Sequence, residues 1–204
     1  MTTIKPKWVV FDVGGVLLDW VKSSDYLASR VDVSQEVLLE TMFSYALKMN
    51  IGLLDAREGW EKILKDLDRE VMEPIEAIRH WRDKRFWIQD SLELASELHK
   101  ANYKLAIFTN SWLGLEDEEK RNLLPNELSL FSNIVDSSKE GSIKPEEKFY
   151  KILENKIGSR EEEILLIDDT PKNMPVAESR KWQTFLFETN RSLDSVNQLR
   201  SILL

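Results

Sequence analysis

The chain has no cysteine, two histidines, and no apolar run near the length of a membrane span. Without cysteine there are no disulfides, thiolate nucleophiles or thiolate metal sites, so a metal would have to be held by oxygen or by the two histidines. Oxygen ligands favour Mg²⁺. His80 and His99 fall inside helical patterns away from the strand ends, and there is no G-x-S-x-G, so serine and cysteine hydrolase chemistry is not expected. Positive charge is also short: 28 Lys and Arg against 36 Asp and Glu leave a net charge of −8 on 204 residues. That field repels nucleic acid and anionic membranes, and a phosphorylated partner would need local positive charge. The N-terminal residues show no apolar segment followed by a small-residue cleavage site, so a cytoplasmic location is the default expectation.

What is present is a globular composition, 42% hydrophobic and 31% charged, long enough for one domain with an insertion or two small ones. Continuous apolar runs at Trp8–Phe11, Leu105–Thr109, Ile164–Ile167 and Thr184–Phe187, with a weaker one at Asn133–Val135, suit strands covered on both faces. Pro145 can open a helix through Phe149, Ile152, Leu153 and Ile157 that Gly158 closes. The alternation predicts an α/β fold with a doubly wound parallel sheet.

Between about Trp20 and Trp87 the alternation stops and only helical patterns remain. Val37, Leu38, Met42, Tyr45, Ala46 and Met49 share one face. Asp55 with Glu58 resembles a capping box ahead of Trp60, Ile63, Leu64, Leu67 and Val71, and Pro74 suits a third helix start through Ile78 and Trp81. The expected organisation is a core of residues 1–19 and 89–204 with an all-α cap at 20–88. The acidic runs Glu116–Glu119 and Glu161–Glu163 are expected to be first turns of exposed helices.

Polar residues follow the apolar runs in a pattern. Asp12 follows the first in FDVGGVLLDW, Thr109 and Asn110 end the second, and Asp168-Asp169 follow the fourth in ILLIDDTPKN, while Lys144 precedes a helix in GSIKPEEKFY. In an open parallel sheet, ligands bind beyond the carboxyl ends of the strands, so four distant segments would meet at one spot. Carboxylates for a hard cation, an ammonium, a hydroxyl and one carboxylate free to attack suit phosphoryl transfer through an aspartyl intermediate. Mg²⁺ would sit between Asp12 and Asp168, with Lys144 and Thr109 holding the remaining charge.

With these four motifs in this order, the chain resembles the haloacid dehalogenase superfamily of Asp-nucleophile hydrolases over nearly its whole length. The wording FDVGGVLLDW, KPEEKFY and DDTPKN is most similar to a branch of sugar-phosphate phosphatases that includes glucose-1-phosphate phosphatase. The resemblance implies that Asp12 is the nucleophile and a metal ligand. The Gly14 carbonyl and Asp168 would complete the protein's ligands, with Asp169 close by through water. It also implies that Thr109 and the Asn110 backbone bind phosphoryl oxygens, that Lys144 balances charge, and that Asn173 braces the fourth loop. The expected partner is a small phosphorylated metabolite, and the expected state a monomer or homodimer. Trp20 and Trp112 could line the substrate pocket, and Tyr45, Arg57, Arg82 and Arg85 are candidates for sugar or second-phosphate contacts.

One position departs from the family. Its phosphatases carry a second Asp two residues after the nucleophile, which protonates the leaving group; here that residue is Gly14. The family's dehalogenases also lack this Asp, but they need no metal and lack the acidic pair seen here at Asp168-Asp169. A Mg²⁺-dependent phosphatase is therefore expected, with a dehalogenase-type hydrolase or a non-catalytic phosphatase-derived binding protein as alternatives. Response-regulator receivers use similar residue types, but their acidic pair precedes the acceptor Asp and they have no place for the insertion.

Overall fold

Five short strands pair in parallel in a computed structural model that describes residues 5–69, 72–111 and 125–204. They are β1 (Trp8–Phe11), β2 (Lys104–Thr109), β3 (Asn133–Asp136), β4 (Ile164–Asp168) and β5 (Gln183–Leu186), ordered β3-β2-β1-β4-β5. The first strand is central, as its run of four buried residues anticipates. Register aligns Phe11 with Ile107 on one side and Ile167 on the other, so the carboxyl ends of β1, β2 and β4 finish side by side. The fifth strand lies one residue earlier than expected, because Leu186 pairs with Asp168 and Phe187 N already donates to Asp168 O at 2.9 Å beyond the ladder.

Successive strand residues point to opposite faces, and both faces are covered. Val9, Phe11, Ile107 and Ile167 pack with residues such as Leu98 of α5 (Gln89–Lys100). Trp8, Val10, Phe108 and Leu166 pack on the other side with residues such as Phe149 and Leu153. Two short helical segments flank this side of the chain: α6 (Ser137–Glu140) follows β3, and α7 (Glu147–Ile157) carries Phe149 and Leu153 and ends at left-handed Gly158. The expected start at Pro145 moves to Glu147, since Glu146 N donates to Ile143 O at 2.8 Å and its carboxylate accepts from Ser142 Oγ at 2.6 Å, holding residues 143–146 in a turn. Among the described residues, the remaining core helices are α8 (Met174–Ser179) and α9 (Ser192–Leu203). Glu161–Glu163 forms a single 3₁₀ turn, not an exposed helix start, because Glu163 is buried and held by Lys7 at 2.8 Å and by Ser159 and Arg160.

Four helices lie between β1 and α5: α1 (Trp20–Arg30), α2 (Gln35–Asn50), α3 (Ala56–Asp66) and α4 (Pro74–Trp81). Asp19, Ser34 and Asp55 cap the first three through the backbone N–H groups of Lys22, Val37 and Arg57. Asp55 thus reaches Arg57 rather than Glu58, whose carboxylate pairs with Lys62 instead. Leu38, Met42 and Met49 bury one face of α2, whereas Val37 is exposed. Val71 and Glu116–Glu119 lie outside the described residues.

The entering and leaving chains of this insertion pair with each other: Ile88 N donates to Leu17 O and Asp19 N to Phe86 O, both at 2.8 Å. A further contact lies just past the end of α2, where Gly52 (φ +72) approaches α6 so closely that a methyl group there would sit 2.1 Å from Ser138 O. Gly52→Ala should therefore destabilise the fold by about 2–4 kcal/mol, combining left-handed strain with the clash. Gly158→Ala, at φ +58 but facing open space, should cost only about 1–2 kcal/mol. Urea denaturation of the two variants checks the contrast; equal losses would mean that the contact at Ser138 contributes nothing.

Candidate functional site

The site is assembled around an ammonium. Lys144, almost wholly buried, places Nζ 2.6 Å from Asp168 Oδ2, 3.0 Å from Asp12 Oδ2 and 2.9 Å from Phe108 O. Its loop is fixed by a reciprocal pair: Lys144 N donates to Asn110 Oδ1 at 2.7 Å and Asn110 Nδ2 to Lys144 O at 3.0 Å. The Asn110 side chain is thus committed to the scaffold. Ser111 N donates to Ser137 Oγ at 3.0 Å, tying the end of β2 to the end of β3.

The two aspartates after β4 differ. Asp168 is fully buried; its oxygens accept from Lys144, from Thr170 N at 2.9 Å, and from Asn173 Nδ2 at 2.9 and 3.0 Å. Asn173 is itself held through its carbonyl by the Tyr150 hydroxyl. Asp169 lines the open cavity; Thr170 Oγ1 donates to its Oδ1 at 3.0 Å. Its carboxylate comes so near Gly15 (φ +74) that a methyl group there would lie 2.0 Å from Asp169 Oδ2. Only glycine fits both that backbone and that approach. Gly14 differs: a methyl group there would meet only Trp20 Cδ1 at an ordinary 3.7 Å.

Asp12, Asp168 and Asp169 bring carboxylate oxygens within 4.8 Å of one another against one ammonium. Burial raises the Asp12 carboxyl; Lys144 lowers it, Asp168 and Asp169 raise it, and the balance is pushed up to about 7. Asp169 is likewise raised, first by burial. Burial opposes the charge on Lys144, but Asp12 and Asp168 more than offset it and raise its pKa. The cluster thus carries more negative charge than the chain itself neutralises, a donor set of oxygens that a hard divalent cation fits.

A cavity of about 440 Å³ opens above these groups, and Asp12, Gly14, Thr109, Asn110, Lys144, Asp169 and Trp20 all reach it. Asp168 lies beneath, and Trp112 lies outside the described residues. Tyr45, Arg57, Arg82 and Arg85 do not line it. Tyr45 donates to Asp66, Arg85 pairs with Asp83 and stacks on Tyr26, Arg82 is buried, and Arg57 borders a separate hollow. The insertion instead contributes Met42, Phe43, Ala46, Asn50 and Trp81, and the fourth loop adds Lys172. Helical spacing could have flagged Met42 and Ala46, but it marks them equally well as core.

Residues 6–179 match the family model described as haloacid dehalogenase-like hydrolase. Bifunctional epoxide hydrolase 2 of Rattus norvegicus is 31% identical over 105 residues, which is 50% of this chain and 19% of the relative, so the chain matches only a minor part of that longer protein. A haloacid dehalogenase-family enzyme of Bacteroides thetaiotaomicron, solved in complex with magnesium and inorganic phosphate, superposes with a TM-score of 0.65 at 19% identity over 91% of this chain and 96% of that one. The L-2-haloacid dehalogenase of Xanthobacter autotrophicus, solved with chloropropionic acid covalently bound, gives 0.63 at 18% identity over 89% and 77%. At such identities the structures share the fold.

If Asp12 is held ionised at a cost, removing its charge should stabilise the metal-free protein. The cost is absent below pH about 4, where the carboxyl is protonated folded or unfolded, grows as pH rises, and is complete above about 7. In chelator, Asp12→Asn should raise Tm by on the order of 5 °C at pH 8 and much less at pH 4.5. Thermal melts at the two pH values test this; a lower Tm at pH 8 would mean that the pairing with Lys144 outweighs the repulsion.

Proposed function

The chain belongs to the family of haloacid dehalogenase-like hydrolases, and on that premise we propose that it is a Mg²⁺-dependent phosphatase acting on a small phosphomonoester through an aspartyl-phosphate intermediate. The observation that carries this reading is the cluster of three carboxylates around one buried ammonium, with more negative charge than Lys144 can balance. A metal-free dehalogenase would leave that surplus uncompensated, which favours the phosphatase.

In this reading residues 1–19 and 89–204 form the catalytic core and 20–88 the cap. Asp12 attacks phosphorus; its oxygen forms the new P–O bond as the bond to the organic oxygen breaks, and water then hydrolyses the aspartyl phosphate. Thr109 and the Asn110 backbone N–H hold phosphoryl oxygens, and Lys144 offsets charge on Asp12. The open position of Asp169 and the saturated one of Asp168 support exchanging their expected roles: Asp12, Asp169 and the Gly14 carbonyl would hold the cation, while Asp168 with Asn173 orients Lys144. Bound there, Mg²⁺ supplies charge neutralisation to the phosphoryl oxygens. The titratable groups on the cavity among the described residues are Asp12, Lys144, Asp169 and Lys172. With Gly14 in place of an acid, the departing oxygen leaves with little proton assistance.

Hydrolysis of 4-nitrophenyl phosphate should require Mg²⁺ and stop in excess chelator; full activity in chelator would overturn the metal role. Asp12→Asn should lower kcat by more than about 10³-fold without unfolding the chain, and Asp169→Asn should raise the Mg²⁺ concentration needed by about 10–100-fold. If Asp168→Asn alone raised that requirement, the exchanged roles would be refuted. Across phosphates of graded leaving-group pKa, kcat/KM should fall steeply here and less steeply in Gly14→Asp. An acid restored at that position is worth about 10²–10⁴-fold for basic leaving groups, and a Cβ at Gly14 meets nothing nearer than Trp20 Cδ1 at 3.7 Å. A flat dependence in the unmodified protein would show that another group donates the proton.

A further inference from the structure

The cavity has two unlike halves. The strand ends and the loops after them contribute carboxylates, a hydroxyl and ammonium groups; among the described residues the insertion contributes Trp20, Met42, Phe43, Ala46 and Trp81 and one amide, Asn50. Asn50 Oδ1 is buried and has no hydrogen-bond partner among the described residues. A rotation of the side chain would turn the unused amide toward the cavity it lines, where it could accept from or donate to a ligand group. Leaving such a group buried and unpaired is costly, and a wall otherwise made of indole, thioether and phenyl surfaces would strip water from hydroxyls without replacing their hydrogen bonds.

We propose that the organic part of the substrate is a compact apolar or aromatic group bearing one hydroxyl or amino function that meets Asn50, in preference to a polyhydroxylated sugar. The proposal rests on the phosphatase reading for the phosphoryl half and on the wall alone for the organic half. It replaces the sugar contacts expected from Tyr45, Arg57, Arg82 and Arg85, which do not line the cavity. It is also separate from the leaving-group effect of Gly14, because polarity and basicity can be varied independently.

Benzyl phosphate and glucose 6-phosphate both release an alkoxide, so they differ chiefly in the polarity presented to the wall. With Mg²⁺ present, kcat/KM for benzyl phosphate should exceed that for glucose 6-phosphate by at least about 10-fold. Among phenyl phosphate and its three hydroxyphenyl analogues, at least one hydroxylated isomer should exceed phenyl phosphate by about 10-fold, and Asn50→Leu should erase that advantage. A glucose 6-phosphate rate equal to or above that of benzyl phosphate overturns the apolar wall. A hydroxyl advantage that is absent, or that survives in Asn50→Leu, overturns the role of Asn50. Calorimetry separates these failures from failure of the phosphatase reading: benzylphosphonate should bind at least about 10-fold more tightly than methylphosphonate. If that preference holds while acetyl phosphate and every ester go unhydrolysed, the phosphatase reading falls and the wall stands; if the preference is missing, the wall falls.

Discussion

The buried ammonium of Lys144 is the interaction on which the rest of the site depends. It is supplied by the loop after β3, yet its partners stand on β1 and β4, so it joins three segments that the sheet brings only to a common edge. Without it, Asp12 and Asp168 would face each other as buried like charges, so loss of the ammonium should cost several kcal/mol, about 3–5 as in buried pairs left with an uncompensated charge. The surrounding details serve its position. Asn110 clasps the Lys144 backbone, Phe108 O takes a third ammonium hydrogen, and Asn173 with Thr170 N fixes the carboxylate it binds.

The core was legible because its signals are local. Short apolar runs with helical patterns between them read as buried strands, and the residues at the end of each run are then expected near the ligand crevice. Asp12, one residue past the first run, Thr109, which closes the second, and Asp169, two past the fourth, reach the cavity, whereas Asp168, one past the fourth, lies beneath it. What sequence could not separate was Asp168 from Asp169, neighbours of one type whose side chains turn to opposite sides: one into the core beside Lys144, the other toward Gly15.

The insertion was legible as helices and opaque as a surface. Helix α2 has apolar residues on more than one face, with Met42 buried but Phe43 and Leu47 exposed, so periodicity does not say which residues look at the carboxylates. Charged and phenolic side chains were the natural candidates for contacts with a polar ligand, yet Arg85 pairs with Asp83, Tyr45 with Asp66, and none of the four candidates lines the cavity. Asn50 carries no pattern at all. It is one amide at the end of a helix, and only the three-dimensional placement of that end beside the cavity gives it meaning.

Two adjacent stems alone would let the four helices swing about the line joining Leu17–Asp19 to Phe86–Ile88. Gly52 resting on Ser138 adds a stop away from that line, and the residue beside it, Ser137, is hydrogen-bonded to Ser111 directly after β2. The insertion therefore rests on α6, and the Ser111–Ser137 hydrogen bond ties α6 in turn to the loop that follows Thr109 and Asn110. The spacing between the apolar wall and the carboxylates is therefore tied to a contact between backbone atoms, Gly52 against Ser138, which no repacking of side chains can relax.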